Sequence, residues 1–83
     1  MHIGRVIREI RKEKGISRDE AVGRSGGYFS YHSWGRLERG QRELLIKEIY
    51  KVTSILEMSP CDLLDRFTRD GAINVAAQTK KNR

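Results

Sequence analysis

SYHSWGRLERG, residues Ser30 to Gly40, reads as a short helix with two unlike faces. Trp34 stands four residues after Ser30 and three before Leu37, which places one stripe toward a core, while Tyr31, His32, Gly35, Arg36 and Arg39 fall on the outward side. The ends are marked too. Ser30 offers a hydroxyl as N-cap, Gly40 suits the left-handed position just past the last turn, and Arg39 sets a cation at the negative end of the helix dipole. One face packs and the other is free to meet a partner.

Working outward, the preceding segments are helical as well. Ile3, Val6, Ile7 and Ile10 follow the i, i+3, i+4, i+7 pattern, with Arg5, Arg8, Arg11, Lys12 and Lys14 on the remaining faces, so a first helix is expected over residues 2–14. Gly15 ends it. Ser17 and Glu20 form a capping box that opens a short second helix to about Ser25, in which Ala21 and Gly23 leave room for a neighbour. Gly26 and Gly27 then break the helical pattern, Tyr28 is expected at the turn surface and Phe29 in the core.

Downstream of Gly40, Gln41 and Arg42 connect to a fourth helix whose apolar face is Leu45, Ile49, Val52 and Leu56, widened by Leu44 and Ile55. It reads as the longest and most hydrophobic helix. Ser59-Pro60 supplies an N-cap and a first-turn proline, so a fifth helix is expected from Pro60 to about Arg66, burying Leu63, Leu64 and Phe67. Residues 1–67 are thus expected to form one domain, and residues 68–83 a C-terminal tail, flexible or acting as a dimer arm.

Length and composition limit what such a chain can be. Eighty-three residues hold one small domain with a marginal core, which favours self-association. The single cysteine, Cys61, excludes an intrachain disulfide and a cysteine-built metal cage, and suits a reducing, cytoplasmic setting. Apolar runs of at most three residues exclude a membrane span. Seventeen basic against eleven acidic residues give a net charge of +6 and favour a polyanionic partner: nucleic acid, an anionic membrane surface or an acidic protein.

In order, the segments IGRVIREIRKEKGISRDE, WGRLERG, an apolar helix and SPCDLL span residues 3–67, and the most specific pieces are Arg11 to Ser17 and Leu37 to Gly40. This combination resembles the Xre/Cro-type helix-turn-helix family of phage and bacterial regulators. The resemblance implies an all-α, compact five-helix domain with a helix-turn-helix, the lambda-repressor-like DNA-binding fold, that binds double-stranded DNA as a homodimer with the third helix in the major groove. Two departures stand out. Ala21 and Val22 stand where the family usually has a leucine and an alanine, and the Gly26 to Phe29 turn is longer by two residues, assigned to Gly27 and Tyr28. The larger Trp34, where the family prefers isoleucine or valine, fills space left by the small Ala21.

Carried over by position, the base-reading residues are Tyr31, His32 and Arg36. Arg36 is the expected base reader, because its guanidinium can satisfy two guanine acceptors at once. Arg18, Ser30, Ser33, Arg39, Gln41 and Arg42 are expected on the DNA backbone, and Glu38 is expected to be structural, paired with a base of the first or second helix. Gly35 leaves a gap in the outward face that either admits the groove floor or is simply tolerated.

Other functions find little support. No nucleophile has an activating neighbour, and Gly26-Gly27 lacks the lysine and hydroxyl of a phosphate loop, so no enzyme activity and no cofactor are expected. His2, His32 and Cys61 lack the spacing of metal ligands. The aromatic cluster Tyr28, Phe29, Tyr31 and Trp34 has helical spacing, which favours packing over stacking on single-stranded bases. No membrane partner and no small-molecule effector are evident. The remaining alternative is a protein-interaction module, antitoxin-like or an adaptor, built on the same scaffold.

Overall fold

The computed structural model describes residues 2–70, and its elements are α1 (Ile3–Glu13), α2 (Arg18–Arg24), α3 (Tyr31–Glu38), α4 (Ile46–Ile55) and α5 (Pro60–Asp70). Among the described residues there is no strand, so the expected all-α, five-helix architecture is the one observed. Three helices begin where a serine invites them to. The hydroxyls of Ser17, Ser30 and Ser59 accept from the amides of Glu20, Ser33 and Asp62 at 3.0, 3.0 and 3.1 Å. The capping box at α2 is only half formed, because the Glu20 carboxylate accepts from Arg24 at 2.7 Å. At α1 the cap is His2, whose Nδ1 accepts from the Arg5 amide at 3.2 Å.

The core gathers Val6, Ile7 and Ile10 of α1, Ile16, Ala21, Phe29, Trp34 and Leu37, with Val52, Ile55, Leu56 and Leu63 closing it from α4 and α5. Phe29 meets Trp34 edge to face at 5.3 Å between ring centroids. Both are buried as expected, and Tyr28 lies at the surface. The break holds because Gly26 and Gly27 adopt φ of 65° and 90°, and α3 is terminated by Gly40 at φ 78°.

How α1 meets α3 depends on Gly4, which the sequence pattern does not single out. A Cβ there would fall 1.8 Å from the Leu37 carbonyl oxygen, so the two helices touch backbone to backbone. This contact seats α3 against α1 along its inner side.

Four expectations require correction. α4 has 10 residues against 11 in α1 and in α5, so it is not the longest helix. It also starts later than expected, although Ile49, Val52, Ile55 and Leu56 face inward as read. Residues 43–45 are not helical, Leu45 precedes the first turn and is half exposed, and Leu44 packs against the core in its place. The inward stripe is therefore Glu48, Ile49, Val52, Ile55 and Leu56, with a carboxylate among the apolar groups. In α5, Leu63 is buried and Phe67 partly so, but Leu64 faces outward. This helix runs past Arg66 to Asp70 and takes in the first three residues assigned to the tail. The proposed arm over residues 71–83 lies outside the described residues.

Candidate nucleic-acid interface

Two buried carboxylates organise α3 and its flanking loops. Glu38 accepts from Arg11 Nε at 2.6 Å, from Arg11 Nη2 at 3.1 Å and from Trp34 Nε1 at 2.5 Å. Arg11 also donates to the Ile16 carbonyl at 2.9 Å. The expected structural role of Glu38 is thus the observed one, with the first helix supplying its partner. This pair spans α1 and α3 and, by using the Trp34 indole N–H, leaves the largest core side chain with its polar atom satisfied.

Glu48 ties together the loops on either side of α3. It accepts from Tyr28 Oη at 2.7 Å, from Arg42 Nη1 and Nη2 at 2.9 and 2.6 Å, and from the Leu45 amide at 2.9 Å. The Arg42 hydrogen bonds lower its pKa from 4.5 to about 2, against the opposing effect of burial, and the Leu45 and Tyr28 bonds reinforce the shift. The same contact with Glu48 raises the Tyr28 phenol and the Arg42 guanidinium above their ordinary values. Arg42 Cζ lies 5.3 Å from the Phe29 ring centre and Lys51 Nζ 5.0 Å from that of Tyr28. The longer turn is therefore anchored to the start of α4. Arg42, expected on the DNA backbone, is turned inward instead, because the half-buried guanidinium finds a fully buried carboxylate six residues later.

Residues of the outward side divide into two edges. His32 and Arg36 are one turn apart and exposed, with Arg36 Nη2 donating to the Gln41 carbonyl at 3.4 Å. Tyr31 is half exposed, and Arg18 Cζ stands 5.0 Å from its ring centre. Ser30 is exposed, and Ser33 is half-buried in the first turn. Arg39 is exposed beside Gln41, whose Oε1 accepts from Arg39 Nε at 3.4 Å. Gly35 departs from its outward placement. It is buried, and a Cβ there would lie 3.1 Å from Arg39 Nη1 and 3.3 Å from Arg18 Nη1, so both guanidiniums cover the gap.

Sequence reasoning missed Glu48 and Gly4. A signal for Glu48 exists: it stands four before Val52 and seven before Ile55, in phase with the buried stripe. Gly4 carries no such sign, because only the tertiary approach of α3 makes it necessary. Among the described residues no group of His, Cys, Asp and Glu could hold a metal ion, and no helix is long and apolar enough to cross a membrane.

No family model matches the chain, and no curated protein matches it. Among solved structures it is similar to the restriction-modification controller protein C.AhdI from Aeromonas hydrophila, at 33% identity and a TM-score of 0.66, covering 74% of this chain and 89% of that one. With a third of the aligned residues identical over 74% of its length, the chain belongs to the helix-turn-helix family of restriction-modification controller proteins.

Proposed function

We propose that the chain is an Xre/Cro-type transcriptional regulator that binds a (pseudo)palindromic operator in double-stranded DNA as a homodimer, with α3 in the major groove. The observation that carries this reading is the outward side of α3. It presents His32 and Arg36 one turn apart, with Arg18 and Arg39 beside them, and among the described residues no carboxylate lies within 4.0 Å of Arg36 or Arg39. Cations left without a carboxylate of their own on a helix whose other side is locked in the core suit a groove lined by phosphates.

In this reading Arg36 bonds guanine O6 and N7 and contributes about 1–3 kcal/mol of discrimination, while Tyr31 and His32 meet base edges. Arg18, Ser30, Ser33, Arg39 and Gln41 contact the backbone, and Arg42 drops out because Glu48 holds it. The similarity to C.AhdI favours control of restriction-modification genes over the phage and antitoxin settings. The homodimer would pair exposed apolar groups: Ile46 and Tyr50, one turn apart on α4 and 82% and 71% exposed, with Leu64 of α5. Half-sites then lie about 34 Å apart.

Titrating random and selected operator duplexes over a range of salt tests the proposal. Arg36→Ala should weaken the operator complex and spare random DNA, whereas Arg18→Ala should weaken both alike. Absence of binding to any duplex at low salt would overturn the DNA reading, and equal effects of the two variants would overturn the assignment of roles.

A further inference from the structure

We infer that Arg18 and Arg39 act together as one clamp for a single backbone phosphate, closed across Gly35, rather than as two separate contacts; this rests on the DNA-binding reading above. The two guanidiniums come from different elements, the first residue of α2 and the C-cap of α3, yet converge on the same point. Arg39 Nη1 and Arg18 Nη1 lie 3.1 and 3.3 Å from where a Gly35 Cβ would be. Guanidiniums remain protonated at every accessible pH, so this pair repels itself unless an anion lies between them.

Nearby carboxylates do not supply that anion. Glu38 is 3.8 Å from Arg18 Nη2, but it is already engaged by Arg11 and by the Trp34 indole. Arg39 has no carboxylate within 4.0 Å among the described residues. Arg18 Nε is buried and lacks a hydrogen-bond partner. Each cation is nonetheless held in place on one side: Arg18 by the Tyr31 ring at 5.0 Å, Arg39 by Gln41 Oε1 at 3.4 Å. Two held guanidiniums whose Nη1 groups face a common point match the two non-bridging oxygens of a phosphodiester.

A role follows for Gly35. Any side chain there would enter the space between the two arginines, so the glycine keeps the clamp together. Gly35 and Arg36 differ by one residue, or 100° around the helix, so a phosphate gripped at one fixes how the other is turned toward the bases.

Counterion release distinguishes one phosphate from two. Slopes of log K against log salt are measured on one duplex for the wild type, Arg18→Ala, Arg39→Ala and the double variant. Loss of one neutralised phosphate lowers the slope by about 0.9. A shared phosphate predicts a total loss of about 0.9 in the double variant and an affinity loss smaller than the product of the single losses. A total near 1.8 with multiplicative losses would overturn the clamp.

An independent reading uses inorganic phosphate as the probe, followed by NMR through the Nε–H signals of the arginines. Arg18 and Arg39 should shift on one common isotherm, and Gly35→Ala should weaken phosphate and duplex binding about fivefold while the helical circular dichroism and melting temperature are kept. Separate isotherms, or no response to Gly35→Ala, would refute the inference. If inorganic phosphate binds on one isotherm but no duplex binds at low salt, the clamp stands as an anion site and the DNA reading fails.

Discussion

Replacing Glu48 by glutamine keeps the shape of the side chain and removes its charge. A carboxyl whose pKa falls from 4.5 to about 2 on folding favours its charged form in the folded chain by about 3 kcal/mol. A second route gives a similar figure. Breaking a buried ion pair by neutralising one member costs about 3–5 kcal/mol, and the lower end applies because the Arg42 side chain is 28% exposed and water relieves part of its loss. The amide also turns two of its hydrogens toward groups that donate, the Arg42 guanidinium and the Tyr28 hydroxyl. We therefore expect Glu48→Gln to lose about 3 kcal/mol at pH 7, a large share of the roughly 5–15 kcal/mol of a small domain. Urea unfolding followed by Trp34 fluorescence measures it, with the m-value as the control for an unchanged folded state. The sign with pH is fixed. Because the folded pKa is depressed, the stability due to Glu48 is fully present above about 4.5 and is lost as pH falls toward about 2. The gap between wild type and variant should close across that window. A difference below about 1 kcal/mol at pH 7, or a gap that stays constant in acid, would refute the reasoning.

Three further perturbations probe separate parts of the molecule. Gly4→Ala drives a methyl into the Leu37 carbonyl, a backbone atom that cannot swing aside, and should cost about 3 kcal/mol or more in thermal or urea unfolding. Glu57 closes α4 with φ of 59°, so Glu57→Gly should raise stability by about 1 kcal/mol despite losing the exposed ion pair to Arg24. Ile46→Glu places a charge at the centre of the proposed subunit contact. It should shift the chain to monomer in light scattering and weaken operator binding at least tenfold, with the helical circular dichroism retained.

Local signals were the legible ones. The caps at Ser17, Ser30 and Ser59, the end at Gly40 and the stripes of α1 and α3 each depend on residues within a turn of one another, so their spacing alone defines them. The start of α4 failed for a different reason. Leu45 and Leu56 fit one helical stripe on paper, but residues 43–45 are not helical, the helix starts a residue later than the stripe requires, and the position facing the core passes to Glu48. A carboxylate is stable there only because Tyr28, Arg42 and the Leu45 amide converge on it from the preceding loops. Of the candidate interface, the outward positions of His32 and Arg36 were readable from periodicity. The inward turn of Arg42 and the burial of Gly35 were not, since each is decided by a partner from another element.

The same distinction decides what the charge means. A net charge of +6 says that the chain attracts polyanions but not where. Placement follows from which cations the fold has already neutralised. Arg11 and Arg42 are committed to buried carboxylates, Arg24 to Glu20 and Glu57, and Arg66 to Glu13 at the far end of α1. Each of these pairs ties two elements or two turns together. Arg36 and Arg39 lack such a partner and Arg18 has only a share in one, and all three stand against α3. Glu38 and Glu48 thus do two things at once: they fix the helix and the loops that flank it, and by binding Arg11 and Arg42 they confine the unneutralised charge near α3 to its outward side. Weakening either carboxylate would loosen the helix and also release a second cation near it, so non-specific attraction to DNA should survive such a substitution better than discrimination between sequences.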